Sequence, residues 1–215
     1  MAQTATALPS KTSVPSHPGI EELRAWMEEI DPEPEHGRHV ARLALTLFDA
    51  LAPLHSLGPR ERDLLHAGAL VHDVGMSVSD RRHHKRSHEL ITTHSFRRWK
   101  SREVDFFALL ARYHRKAAPC LKHGDYAALS KCDRDAVRKL AAILRLADGL
   151  DRAHLSTVQA IDVSCDSNAV WLRLQAYRDC GTEIWGAERK AGLFESVFSR
   201  RLYIEAADGY HAQEP

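Results

Sequence analysis

Apolar positions recur along most of this chain with the period of a helix and change to the period of a strand only near its end. In 33–52 (EPEHGRHVARLALTLFDALA), Val40, Leu43, Ala44, Leu47, Phe48 and Leu51 fall on one helical face. Gly58-Pro59 opens a second helix whose inward face carries Leu65, Gly68, Ala69 and His72, with Gly75 placed to stop it. A third helix is expected over about 84–98, and a fourth from a Ser101 cap through Phe106, Phe107 and Leu110 to His114. The longest stripe lies in 134–152, where Val137, Leu140, Ala141 and Leu144 are followed in line by Asp148 and Asp151. After His154 the pattern alternates: Ile161, Val163 and Cys165 share one side of VQAIDVSC, and Val170, Leu172, Leu174 and Ala176 oppose Trp171, Arg173 and Gln175. A helix over 181–195 and a short strand, RRLYIEA, follow. The expectation is a mainly α fold: a helical bundle with a small C-terminal β-β-α-β appendage. Its units would be a disordered tail at 1–18, a helical domain at 19–156, a small α+β unit at 157–207 and a second tail at 208–215.

Bulk properties narrow the classes of function. The 215 residues suit one domain with a small appendage, and a hydrophobic fraction of 44% suffices for a core. A net charge of +1, from 30 basic and 29 acidic side chains, argues against general nucleic-acid binding. Cys120, Cys132, Cys165 and Cys180 form no CxxC pair and are read as reduced thiols. No apolar run is long enough to span a membrane, and MAQTATALPSKTSVPSHPG, with its three prolines, lacks a signal peptide's apolar core. A cytoplasmic protein is expected.

The chemistry is sought where polar side chains interrupt apolar stripes. His36 stands four residues before Val40, His72 on the stripe of its helix with Asp73 next to it, His114 four after Leu110, and Asp148 four after Leu144. Four helices thus each aim potential ligands inward. Buried imidazoles and carboxylates need partners, and one divalent cation would serve them together. His36, His72, Asp73 and Asp148 offer two nitrogens and two carboxylates without sulfur, a set suited to Mn²⁺, Mg²⁺, Fe²⁺ or Zn²⁺ with positions left for water. The run Arg81, Arg82, Lys85 and Arg86 is a solvated face by default.

The order H…HD…D, carried by EHGRHVARLA, ALVHDVG and RLADGLDR, resembles the HD superfamily of metal-dependent phosphohydrolases. HHKRSHELI, ALLARYHRKAAP, LAAILRLADGLDRAH and AGLFESVF more specifically resemble the HD-type domain of the exopolyphosphatase/guanosine pentaphosphatase (Ppx/GppA) family, over roughly residues 33 to 206. The resemblance implies an HD-domain helical bundle, with His36, His72, Asp73 and Asp148 at the family's ligand positions. In that family the domain follows an actin-like catalytic half, of which this chain has too little N-terminal sequence, so polyphosphate cleavage by that half is not expected.

What the resemblance leaves is HD chemistry: hydrolysis of a phosphoester or phosphoanhydride of a nucleotide or polyphosphate-like substrate by a metal-activated water, with Mn²⁺ or Mg²⁺ as the first expectation. Asp73, Asp151 and His114 are the catalytic candidates, Asp151 either as a base or as a carboxylate behind a ligand, with pairing to Arg152 as the plain alternative. His83 or His84, with His114, would hold a second ion, as extra histidines do in dinuclear HD relatives, or donate to the phosphate. Lys85, Lys116, Arg145 and His84 are the substrate-binding candidates, with Arg112 and Arg115 nearby. The competing expectation is a nucleotide- or polyphosphate-binding module that docks on a separate phosphatase. In either reading the appendage leaves room for a docking or homodimer contact.

Overall fold

The structure, a computed structural model, describes residues 17–207. Most of the two expected tails, 1–16 and 208–215, lies outside that range; His17, placed in the first tail, stacks on Trp99 with ring centroids 3.9 Å apart. The chain is mainly α with a small C-terminal sheet, as the change of period implies.

Helix α1 (Ile20–Ile30) buries Ile20, Leu23 and Met27, and α2 (Pro34–Ala50) starts on a proline already set for a first helical turn. A short α3 (Ala52–His55) leads to α4 (Pro59–Leu70), whose start is capped by the Glu61 carboxylate accepting the Gly58 N–H at 3.0 Å. Helix α5 (His83–Thr93) packs on α6 (Ser101–Tyr113); a single turn, α7 (Gly124–Ala127), precedes α8 (Lys131–Gly149). The Ser130 hydroxyl caps α8 by accepting the Asp133 N–H. Val40, Leu43, Leu47, Leu65, Phe106, Phe107, Val137, Leu140 and Leu144 all face the shared core. A Cβ on Gly68 would lie 2.9 Å from the Leu110 Cβ, so glycine is what lets α4 and α6 approach this closely.

Four expected boundaries move, each for a local reason. The helix placed over 84–98 ends at Thr93: the Thr92 and Thr93 hydroxyls bond back to carbonyls of the last turn, and the N–H groups of Arg97 and Arg98 go to the Glu22 carboxylate instead. Phe96 and Trp99 then pack on Trp26 and Phe107. At α6 the cap is not the Ser101 side chain but Glu103, which accepts the Lys100 N–H at 3.0 Å. Helix α4 stops at Leu70, so His72 and Asp73 stand in a turn before a 3₁₀ segment (Val74–Ser77) rather than on the helix. Asp151 likewise lies just past α8.

In the C-terminal unit, β1 (Val158–Cys165) pairs antiparallel with β2 (Ala169–Ala176), and β3 (Arg201–Ala206) pairs parallel with β2, giving the order β1-β2-β3. The single helix expected over 181–195 is two, α9 (Gly181–Glu188) and α10 (Ala191–Phe198), so the connection is β-β-α-α-β. The break at Arg189 and Lys190 turns Lys190 toward α8, against which both helices pack. Val170, Leu172 and Leu174 are buried and Arg173 and Gln175 exposed, as the alternation requires; on β1, Ile161 is buried but Cys165 is exposed. The four cysteines are free thiols, and no helix among the described residues is long and apolar enough to cross a membrane.

Candidate metal centre

Six side chains of ligand type meet where several helix ends converge. His36 comes from the first turn of α2, His72 and Asp73 from the turn after α4, His83 from the first residue of α5, His114 from the end of α6 and Asp148 from the last turn of α8. All six are buried. Helix ends suit this because a chain leaving its helix can direct a side chain across the bundle axis without breaking the apolar stripe.

The ligand atoms fall into two groups that share one carboxylate. His36 Nε2 lies 3.5 Å from Asp148 Oδ1 and 3.9 Å from Asp73 Oδ2, while His72 Nε2 lies 3.8 Å from Asp73 Oδ1 and 3.9 Å from Asp148 Oδ1. On the other side, His83 Nε2 and His114 Nε2 are each 3.3 Å from Asp73 Oδ1 and 3.4 Å from each other. Within His36, His72 and Asp73, and again within Asp73, His83 and His114, one ligand atom per residue lies within 4.8 Å of the others.

Each imidazole is braced from behind. His72 Nδ1 is 2.8 Å from the Ala69 carbonyl, His114 Nδ1 is 2.7 Å from the Ala111 carbonyl, and His83 Nδ1 is 3.2 Å from the Asp80 carbonyl. A carbonyl can only accept, so these rings carry their proton on Nδ1 and turn an Nε2 lone pair to the centre. His36 Nδ1 is braced by the Asp151 carboxylate at 2.8 Å, and Asp151 Oδ1 in turn accepts the Ser156 N–H at 2.8 Å. This is the arrangement by which proteins orient imidazole ligands and raise their basicity.

The centre is unsatisfied as it stands. His36 Nε2, His72 Nε2 and Asp73 Oδ1 are buried with no hydrogen-bond partner, a costly state for polar atoms. Burial alone would raise the Asp73 and Asp148 carboxyls, but the imidazoles around Asp73 and the Lys190 ammonium on Asp148 outweigh it, and both stay ionised. Burial pulls His36 down, yet the carboxylates of Asp148 and Asp151 beside it push it up to about 10. His114, by contrast, is held down to about 3 by burial, despite Asp73 and Asp148. The cluster's proton therefore resides on His36. A cation at His36 Nε2 displaces that proton, and Asp73, Asp148 and Asp151 set against the one ammonium of Lys190 then leave two negative charges, which a divalent cation matches. The nitrogen-and-oxygen donor set fits a borderline cation such as Mn²⁺, Fe²⁺ or Zn²⁺, and Mg²⁺ less closely because of its imidazoles.

Around the second group the surroundings are basic. Arg115 Nη1 is 2.9 Å from Nε2 and 3.4 Å from Nδ1 of His83; near equality to both nitrogens puts the guanidinium over the ring face rather than on its lone pair. His84 is buried, its Nδ1 has no hydrogen-bond partner, and burial followed by the charges of Arg115, Lys85 and Arg112 pulls it down to about 4. Lys85 is exposed beside it on α5.

Two of the substrate-binding candidates are engaged differently from the sequence expectation. Arg145 donates Nε–H to the Tyr113 carbonyl at 2.7 Å and Nη2–H to the carbonyls of Lys116 and Ala117 at 2.9 and 2.8 Å. It fixes the loop after α6, which carries His114 and Arg115, instead of pointing a free fork at a phosphate. Lys116 is exposed with a φ of 60°, and it is its carbonyl that the structure engages. Asp151 braces His36 rather than pairing with Arg152. Three neighbours had no place in the sequence reading. His154 stacks on His36 with centroids 3.7 Å apart and planes 5° from parallel, Glu33 pairs with His154, and Lys190 pairs with Asp148. Only the proximity of His154 to RLADGLDR could have drawn attention to it; Glu33 and Lys190 follow no spacing.

Residues 21–180, from the first turn of α1 to the residue preceding α9, match the family model described as Ppx/GppA phosphatase, domain III. That span holds all six ligand-type side chains, their braces at Ala69, Ala111 and Asp151, and Arg145 with the three carbonyls it holds, so a chain with this bundle and this convergence of helix ends belongs to the Ppx/GppA phosphatase domain III family.

Proposed function

We propose that the chain is a metal-dependent phosphohydrolase of HD type that cleaves a phosphoester or phosphoanhydride of a nucleotide or polyphosphate-like substrate. The observation that carries the reading is the shared Asp73: its carboxylate faces two pairs of braced imidazole lone pairs, His36 with His72 and His83 with His114. His36, His72, Asp73 and Asp148 would hold one divalent cation, and Asp73 with His83 and His114 a second. Such a cation supplies Lewis acidity, lowering the pKa of water and polarising a phosphoryl oxygen.

The chain's own residues account for the rest. Asp151 holds His36 in the orientation and tautomer a ligand requires. Because His114 spends its only N–H on the Ala111 carbonyl, its Nε2 can bind a cation or accept a proton but cannot donate one to a leaving group. That favours the ligand role over the donor role for His114. His84, Lys85 and Arg115 form the basic flank beside the second group and would take phosphate oxygens, with Arg112 behind them. Asp73, the carboxylate common to both groups, would orient the attacking water.

A second reading is favoured by one finding: the matching family model describes one domain of a phosphatase, not a whole enzyme. In that reading the same centre binds a nucleotide or polyphosphate and serves a catalytic partner. The deciding experiment incubates Mn²⁺-loaded protein with bis(p-nitrophenyl) phosphate, nucleoside polyphosphates and inorganic polyphosphate. Metal-dependent product release that Asp73→Ala abolishes is expected. Binding of these phosphates without turnover of any of them would give the site to the second reading.

A further inference from the structure

Helices α9 and α10 lie outside the span matched by the family, and two independent contacts tie them to the centre. At the first, backbone meets backbone: a Cβ on Gly149 would lie 2.6 Å from the Ala187 Cα, and one on Gly186 would lie 2.6 Å from the Gly149 oxygen. Only glycine at both positions lets α9 sit this close to the residue following Asp148. The buried Glu183 adds to it by accepting the Ala153 N–H at 3.3 Å. At the second contact, the chain turns out of α9 and places the Lys190 ammonium on Asp148 Oδ2. Asp148 thus divides its oxygens, Oδ1 facing His36 and His72 and Oδ2 facing Lys190. Among the described residues no other lysine or arginine pairs with Asp73, Asp148 or Asp151.

We propose that Lys190 is the internal counter-cation of the centre, a positioning residue that holds Asp148 in the cation-free protein and competes with the divalent cation for its charge. The inference rests on the metal-binding reading above. Without a cation, the buried Asp148 carboxylate needs positive partners, and Lys190 supplies the one at Oδ2. A divalent cation at Oδ1 supplies the same compensation and repels the ammonium, so binding weakens the Lys190 contact. The C-terminal unit then sets how tightly the centre takes its cation, and Lys190, held at 23% side-chain exposure, has a way out to solvent.

The test uses the full chain stripped with a chelator and titrated calorimetrically with Mn²⁺. Lys190→Met and Lys190→Gln should bind Mn²⁺ about tenfold more tightly than wild type, since a like charge close to the site is removed. Lys190→Arg, which keeps the charge, should stay near wild type. In the wild-type protein, amine acetylation read by mass spectrometry should show Lys190 protected without Mn²⁺ and more reactive with it. This arm needs no variant to fold. Equal or weaker Mn²⁺ binding by both neutral variants, or Lys190 labelling that Mn²⁺ leaves unchanged, overturns the competition. Wild type that takes up no Mn²⁺, Mg²⁺, Fe²⁺ or Zn²⁺ at all overturns the metal-binding reading and the competition with it.

Discussion

Replacing Asp151 by asparagine tests the bracing of the centre with almost no change of shape. One Asp151 oxygen accepts from His36 Nδ1 at 2.8 Å and the other from the Ser156 N–H at 2.8 Å, and the side chain is fully buried. An asparagine has one acceptor oxygen, so whichever way its amide turns, its NH₂ confronts one of these two donors. The loss is one hydrogen bond to a charged group plus an unsatisfied buried donor, about 2–3 kcal/mol. For a chain of this length that corresponds to a fall in Tm of roughly 5–10 °C, measured by differential scanning fluorimetry in the presence of a chelator. The effect on the cation is separate. His36 is pulled down by burial and held at about 10 by Asp148 and Asp151, so removing one carboxylate makes it a poorer base and a less firmly oriented ligand. A loss of about 10–100-fold in Mn²⁺ affinity is expected by titration calorimetry. Mn²⁺ affinity within about twofold of wild type, alongside a lowered Tm, would mean that Asp151 stabilises the fold without supporting a metal ligand.

Three further outcomes follow from the same geometry. Asp73→Ala removes the oxygen common to both ligand groups, so elemental analysis of the purified variant should find almost no bound cation, whereas His83→Ala, which leaves His36, His72 and Asp148 intact, should retain the first; equal retention by both would separate Asp73 from the centre. Arg145→Met strands the Tyr113, Lys116 and Ala117 carbonyls and should lower stability by about 2–4 kcal/mol in chemical denaturation, while an unchanged midpoint with weakened phosphate binding would return Arg145 to the substrate. His66 is pulled from the ordinary 6.5 to about 4 by burial and then by Arg24 and Arg62. Between those values the unfolded chain binds more protons there than the folded one, so its contribution is full above pH 6.5 and is lost as pH falls toward 4. His66→Gln should flatten the dependence of Tm on pH in that window, and an unaltered slope would refute the assignment.

The helices were legible because their burial is periodic. Val40 to Leu51 and Val137 to Leu144 fill one core, and the alternation of Val170, Leu172 and Leu174 marks β2 equally well. What periodicity could not show is where a helix gives way to a better local partner. Thr92 and Thr93 turn back on their own carbonyls while a distant Glu22 takes the next N–H groups, so the pattern runs on past the true end of α5. The break between α9 and α10 is of the same kind, since its partner, Asp148, lies far away in the chain.

The proposed ligands were visible for a related reason. His36 and Asp148 stand in line with apolar stripes because they remain inside α2 and α8, and a polar residue on a buried face must have a use. His72 and Asp73 were found by the same line although they have already left α4, because the turn after Leu70 keeps them facing the bundle axis. Arg145 shows how the rule misleads. It too lies on the buried side of a helix beside the centre, yet its charge is spent on three carbonyls of the loop that carries His114. Charge beside the proposed centre therefore does not identify a phosphate ligand; the proposed role needs a free donor, which the exposed Lys85 offers, while Arg145 holds the loop that carries Arg115. Lys190 and His154 passed unseen because neither lies on a stripe. Each reaches the centre through a turn whose position depends on glycines at 149 and 186 or on a positive φ at 154, and such close approaches leave no period to read.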